Sequence, residues 1–169
     1  MDFRLTEEQE LLRRSVREFA ETEIRPHVRE WDETQHFPKE IIPALAALGL
    51  MGIQIPEQYG GSAMSAIDYC ICLEELARVD PALALSVAAH NGLCSSHILL
   101  FGTESQKAKY LPGAISGDVL LGIAMTEPGT GSDLANVQTT AIRDGNHYVV
   151  NGSKTFISNG QIGDLFIVV

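Results

Sequence analysis

Apolar residues recur at helical spacing through the first two thirds of the chain and then change to strand-like runs. Thr6 followed by Gln9 has the form of a capping box, and it opens a long first helix carrying Leu12, Val16, Phe19 and Ile24. Pro26 predicts a kink or restart, with Trp31 to Phe37 as the exit. Pro38 suits the first turn of a second helix that carries Ile41, Ile42, Leu45 and Leu48 to Gly49, although Pro43 interrupts its start. Residues 53–61 hold too many breakers to be an element and read as a connector. Ser65 to Val79 predicts a third, amphipathic helix, which Asp80-Pro81 ends. Ala82 to Phe101 is apolar nearly all round and predicts a helix buried on most sides. Gly102 to Gln106 reads as one helix stopping and another starting at a capped threonine, with Tyr110 to Gly113 closing that short helix.

After Gly117-Asp118 the period becomes strand-like. Val119 to Thr126 forms an apolar run, and Thr139 to Arg143 and His147 to Asn151 flank the turn residues Asp144-Gly145-Asn146, a hairpin signal. Lys154 to Ser158 and Asp164 to Val169 predict two further short strands. The fold class expected is multidomain α and β. Residues 1–118 form an all-α helical N-terminal domain, and residues 119–169 form the first part of a mainly β domain. A final strand with no later partner would leave an unpaired apolar edge, so the chain is expected to be incomplete.

Charge narrows the partners. Twelve basic against twenty-two acidic residues give a formal charge of -10, which repels phosphate backbones and anionic membrane surfaces, so neither nucleic acid nor a membrane is expected. His90, Asn91, Ser95, Ser96 and His97 also interrupt the apolar 82–101 run, against a membrane span. Cys70, Cys72 and Cys94 are odd in number and read as buried thiols of a reducing compartment. Met1-Asp2-Phe3-Arg4 shows no basic-then-apolar leader, so the cytoplasm is the expected location. His27 and His36 sit among charges and read as surface residues. His90 and His97 are seven apart on nearly one helical face, but no carboxylate or thiol pattern accompanies them, so no metal site is expected.

One stretch looks built to hold a ligand. Ile123 to Asp133 runs from an apolar strand into Thr126-Glu127-Pro128-Gly129-Thr130-Gly131-Ser132, where permissive glycines alternate with hydroxyls and backbone N–H groups can turn toward one acceptor. It lacks the Lys-Ser/Thr ending of a phosphate-binding loop, and Leu134 stands where a dinucleotide fingerprint has its third glycine. On spacing alone an ordinary strand-to-strand turn is the favoured reading, with a ligand-holding turn the alternative.

The order of motifs adds more. Leu5-Thr6-Glu7-Glu8-Gln9-Glu10, the 55–61 connector Ile-Pro-Glu-Gln-Tyr-Gly-Gly, Glu74-Glu75-Leu76-Ala77-Arg78 and Gly102-Thr103-Glu104-Ser105-Gln106-Lys107 resemble, in that order, segments of acyl-CoA dehydrogenases. The resemblance continues through Met125 to Asp133 and Asn151 to Gly160 and so covers essentially the whole chain. In that family an N-terminal helical domain, a middle β domain and a C-terminal helical domain enclose FAD and an acyl-CoA thioester. The resemblance implies that Met125 and Thr126 line the flavin, with Thr126 at the reactive side of the ring. It places Ser132 near both cofactor and CoA, and Phe156, Ile157 and Ser158 on the second flavin-contacting segment. Many members carry tryptophan where Phe156 stands, an aromatic residue where Ile123 stands and threonine where Ser158 stands. Phe156 still covers a ring face; Ile123 keeps a backbone or packing role.

Removing a proton from the carbon beside a thioester and a hydride from the next needs an electron sink and a base together. Hydroxyl and N–H donors would stabilise charge building on the sink. The family's base is a glutamate from a later region, so no catalytic residue is expected in this chain, and Glu127 is read as fixing its turn. The implied partners are an acyl-CoA substrate, an electron-transfer flavoprotein and further copies of the chain as a homotetramer. Two alternatives stay open: a related acyl-CoA oxidase or flavin monooxygenase, and a non-catalytic helical binding or assembly module.

Overall fold

The computed structural model describes residues 4–169, so the Met1 to Phe3 segment behind the leader expectation lies outside the described residues. Thr6 caps α1 (Glu7–Phe19) through a reciprocal capping box with Gln9. The helix widens into a π segment at Ala20–Ile24 and breaks at Pro26, and α2 (Val28–Thr34) follows. Trp31 therefore belongs to a restarted helix rather than to an exit. The expected second helix is split, because Pro43 has no N–H to give. A 3-10 turn at Lys39–Ile41 leads into a short α3 (Ile42–Ala47), with the proline in its first turn. His36 and His27 lie at the exposed end of this region, against Glu40 and the Trp31 ring.

α4 (Ala66–Ala77) is capped by Ser65 with Asp68, and α5 (Pro81–Ala88) by the Asp80 carboxylate. α1 and α5 flank α4. Their apolar faces close a core around Val16, Ile24, Leu45, Met51, Leu76 and Leu83, all nearly inaccessible to solvent. Each such side chain contributes about 1.5–3 kcal/mol by leaving water. Glu75, buried in α4, accepts from Nε and Nη2 of Arg17 on α1 at 2.8 and 2.7 Å. The connector after α3 folds tightly: a Cβ on Gly61 would stand 2.0 Å from the Ile55 carbonyl oxygen.

The expected helix over 82–101 is one run of three parts: α5, a π segment at Ala89–Ser95 and α6 (Ser96–Phe101). The run Pro81–Phe101 is long and apolar enough to cross a membrane, with mean hydropathy 1.3, yet half of it is buried inside the protein. Its polar residues are internal fasteners. Asn91 donates to the Leu50 and Val87 carbonyls and accepts from the Ile53 N–H, and Ser95 donates to the His90 carbonyl. α7 (Glu104–Ile115), capped by Thr103 with Gln106, continues past its expected end and holds Pro112 in its interior. Cys72 and Cys94 are buried as expected, but Cys70, two residues from Cys72 on α4, faces solvent.

The β part begins with β1 (Leu121–Ala124) and the hairpin β2 (Thr140–Asp144) with β3 (His147–Asn151), whose register pairs Ile142 with Val149. The last strand, β4 (Leu165–Val168), does have a partner. It pairs in parallel with β1, Leu121 against Leu165 and Ala124 against Val168, so the unpaired edge expected from the sequence is half satisfied by an earlier strand. Leu121, Cys94 and Ala114 form a second small core with Ile98, Leu165 and Ile167, which seats this pair on α6 and α7. All ten hairpin residues, by contrast, are exposed. The architecture is a helical N-terminal domain followed by the start of a mainly β domain.

Candidate functional site

Two segments meet beyond the end of β1. Met125 and Thr126 follow the strand, and a reciprocal pair of backbone bonds between Glu127 and Thr130, 2.9 and 3.1 Å, closes the Glu127-Pro128-Gly129-Thr130 turn. The second segment runs from Lys154 to Asn159. The Thr155 N–H donates to the Thr126 carbonyl at 2.9 Å, joining the two.

Lys154 to Ser158 is not the strand its sequence predicts. Phe156 and Asn159 both adopt left-handed backbone, φ 55° and 64°, so the segment curls instead of extending. For a bulky residue such as Phe156 this conformation costs about 1–2 kcal/mol, and its ring is 93% exposed. Asn159 is buried and explains how the curl is held. Its Nδ2 donates to the Leu121 carbonyl at 2.9 Å and the Ser86 carbonyl at 3.3 Å, reaching β1 and α5 together. β1 lies close because Gly122 has no side chain: a Cβ there would stand 2.6 Å from the Phe166 ring and 3.0 Å from the Ser158 carbonyl.

Glu127 is the electrostatic centre. Its buried carboxylate accepts from Lys154 Nζ (2.8 Å), the Gln138 N–H (2.8 Å), the Thr139 N–H (2.9 Å) and Thr139 Oγ1 (2.5 Å). The Lys154 bond, then those from Thr139 and Gln138, hold the Glu127 carboxyl down at about 2. Lys154 Nζ also donates to the Met125 carbonyl at 3.0 Å. The turn-fixing role expected of Glu127 matches this geometry. Lys154, Gln138 and Thr139 were not singled out from sequence; a lysine just before the apolar pair Phe156-Ile157 was the available signal.

Thr126, Ile157 and Ser158 are partly buried. Among the described residues, the hydroxyls of Thr126 and Ser158 and the N–H groups of Phe156, Ile157 and Ser158 have no hydrogen-bonding partner within the chain. These donors are open to solvent or to a bound molecule. A cleft of about 590 Å³ runs along the second segment, lined by Phe37, Ser86, Phe156, Ile157, Asn159 and Ile162. Ser132 stands apart on the exposed loop after Thr130, where the Thr130 hydroxyl donates to the Asn136 carbonyl; among the described residues no hydrogen bond joins Ser132 to the second segment.

The two histidines also part. His90 is fully buried, with Nε2 against the Met51 carbonyl at 3.2 Å and Nδ1 accepting the Leu121 N–H at 3.1 Å. Burial pushes it down to about 4, so it is neutral, and it ties the helical core to β1. His90 lies inside the π segment, whereas His97, beyond it on α6, packs against the Phe101 ring. Among the described residues no group of three metal-ligating side chains comes together.

Two family models match the chain: the acyl-CoA dehydrogenase N-terminal domain over residues 6–118, and the acyl-CoA dehydrogenase middle domain over residues 122–169. A curated relative, the short-chain specific acyl-CoA dehydrogenase of Clostridium acetobutylicum, is 45% identical over 99% of this chain and 44% of its own length. A solved structure described as the electron transferring flavoprotein of Acidaminococcus fermentans matches with a TM-score of 0.95 and 39% identity, over 99% of this chain and 44% of that one. A glutaryl-CoA dehydrogenase from Mycobacterium smegmatis in complex with FADH2 matches with a TM-score of 0.93 and 31% identity, over 97% of this chain and 42% of that one. The chain thus spans less than half the length of these relatives. With one model over the helices and the other over the strands, the chain belongs to the acyl-CoA dehydrogenase family.

Proposed function

We propose that this chain supplies the helical domain and part of the flavin site of an FAD-dependent acyl-CoA dehydrogenase, which introduces an α,β double bond into an acyl-CoA thioester and passes electrons to an electron-transfer flavoprotein. The observation that carries this reading is the bond between Thr155 N–H and Thr126 carbonyl, which sets two segments rich in free donors side by side. That donor set suits the nitrogen- and carbonyl-bearing edge of a flavin. When bound, FAD supplies the acceptor for the electron pair leaving the substrate.

In this reading Met125 and Thr126 contact one part of the ring, Thr126 through its hydroxyl. Phe156 covers a face, Ile157 excludes water, and Ser158 donates with the neighbouring N–H groups. Ser132 serves the CoA side from its loop. Glu127 is no base, since its carboxylate is already committed to four donors and a group held at about 2 takes protons poorly. The relatives support FAD through the FADH2 complex, and the flavoprotein partner through the Acidaminococcus fermentans structure. A cytoplasmic homotetramer completes the proposal.

The full-length polypeptide, purified with FAD, tests the reading. We expect a yellow protein that oxidises a short-chain acyl-CoA with an electron-transfer flavoprotein as acceptor. Turnover that consumes oxygen stoichiometrically would favour the oxidase alternative, and absence of bound flavin would refute the reading.

A further inference from the structure

Glu127 and Lys154 are placed with more care than fixing a turn requires. Each is the direct neighbour of one partner in the bond that joins the two segments, Glu127 after Thr126 and Lys154 before Thr155. Both side chains are largely out of water, 5% and 12% exposed, so their charges are weakly screened. Lys154 bridges the carboxylate and the Met125 carbonyl, so it touches the chain on both sides of Thr126.

Taking the proposed flavin site as given, we infer that Glu127 and Lys154 are positioning residues that work as one charge-compensated clamp: together they hold Thr126 in place, and their mutual neutralisation sets the reduction potential of the bound flavin. Reduction brings negative charge onto the ring. An uncompensated carboxylate one residue from Thr126 opposes that charge, and an uncompensated ammonium favours it. The two single deletions therefore have opposite signs. A clamp that only stabilised the fold would not give this pattern.

The test is the midpoint potential of the bound flavin in the full-length protein, by reductive titration against a reference dye. Glu127→Gln is expected to favour the reduced flavin by about tenfold, which for a two-electron couple is about 30 mV upward. Lys154→Gln is expected to shift the potential downward by a similar factor. The double variant should return close to wild type, and Lys154→Arg should leave the potential unchanged. Should Lys154→Gln fail to fold, Thr139→Val removes one donor from the carboxylate without changing charge and should give a smaller downward shift. Flavin-loaded variants whose potentials stay put, or move in the same direction, overturn the clamp inference alone. A wild-type protein that takes up no FAD overturns the flavin reading and this inference with it.

Discussion

His90 and Glu127 are both buried titratable anchors, and they work by opposite logic. His90, between the helical core and β1, is held neutral because burial penalises its charged form and its partners are a carbonyl and an N–H. Glu127, at the turn after β1, is held charged because a lysine and three further donors far outweigh a small cost of burial. Burial decides the charge where the partners are neutral, and charged partners decide it where they surround the group. The two anchors also fail at different pH. The histidine's folded value lies below its ordinary 6.5, so its contribution is complete above 6.5 and lost as pH falls toward about 4. The carboxylate's contribution is complete above its ordinary 4.5 and lost as pH falls through about 2. Acid should loosen the junction before the turn.

The largest effect should come from Glu127→Ala, which strands Lys154 and two backbone N–H groups at once. Thermal unfolding should show a greater drop in Tm than for any variant below, and greater than for Glu127→Gln, which keeps an acceptor oxygen. Next is acid itself. Wild-type stability by urea unfolding should fall by about 3 kcal/mol on account of His90 between pH 6.5 and 4, and His90→Gln should flatten that slope. If the variant keeps the full slope, His90 is not the junction's acid-sensitive group.

Asn159 offers a neutral anchor for contrast. Asn159→Ala frees the Ser86 and Leu121 carbonyls and puts alanine, which tolerates left-handed backbone less well than asparagine, at that position, costing about 2–4 kcal/mol. Asn159→Gly loses the same bonds without the strain and should be about 1 kcal/mol milder. Neither variant should alter the acid slope. The smallest effect belongs to Cys70→Ser, within about 0.5 kcal/mol on the exposed face of α4. Thiol labelling at pH 8 should modify Cys70 and spare Cys72 and Cys94, which burial pushes up to about 12 and about 11.

Much of this organisation was legible from sequence where the signal was local. Thr6, Ser65 and Thr103 head helices in the structure, and Gly145-Asn146 turns the hairpin, because caps and turns depend on a few adjacent residues. What depended on distant contacts was not. Pro112 sits inside α7 because the helix is supported from outside, with Leu111 and Ala114 in the core. The Lys154 to Ser158 segment has strand composition, but Asn159 bonds to Ser86 and Leu121 and draws it into a curl. The two segments of the candidate site are recognisable by resemblance. The side chains that hold them, Lys154, Thr139 and Asn159, become visible only when residues distant in sequence are brought together.

The parallel pairing of β1 with β4 has a kinetic consequence. Both segments of the candidate site and the hairpin lie on the single excursion between Leu121 and Leu165, and a parallel pair cannot form until that whole excursion is closed. The hydrogen bonds within each helix are local and have no such wait, although packing α1 on α4 must close a span as long as that from Arg17 to Glu75. Refolding followed by circular dichroism should therefore recover helical signal first, and competence to take up flavin should lag behind it, limited by the docking of β4.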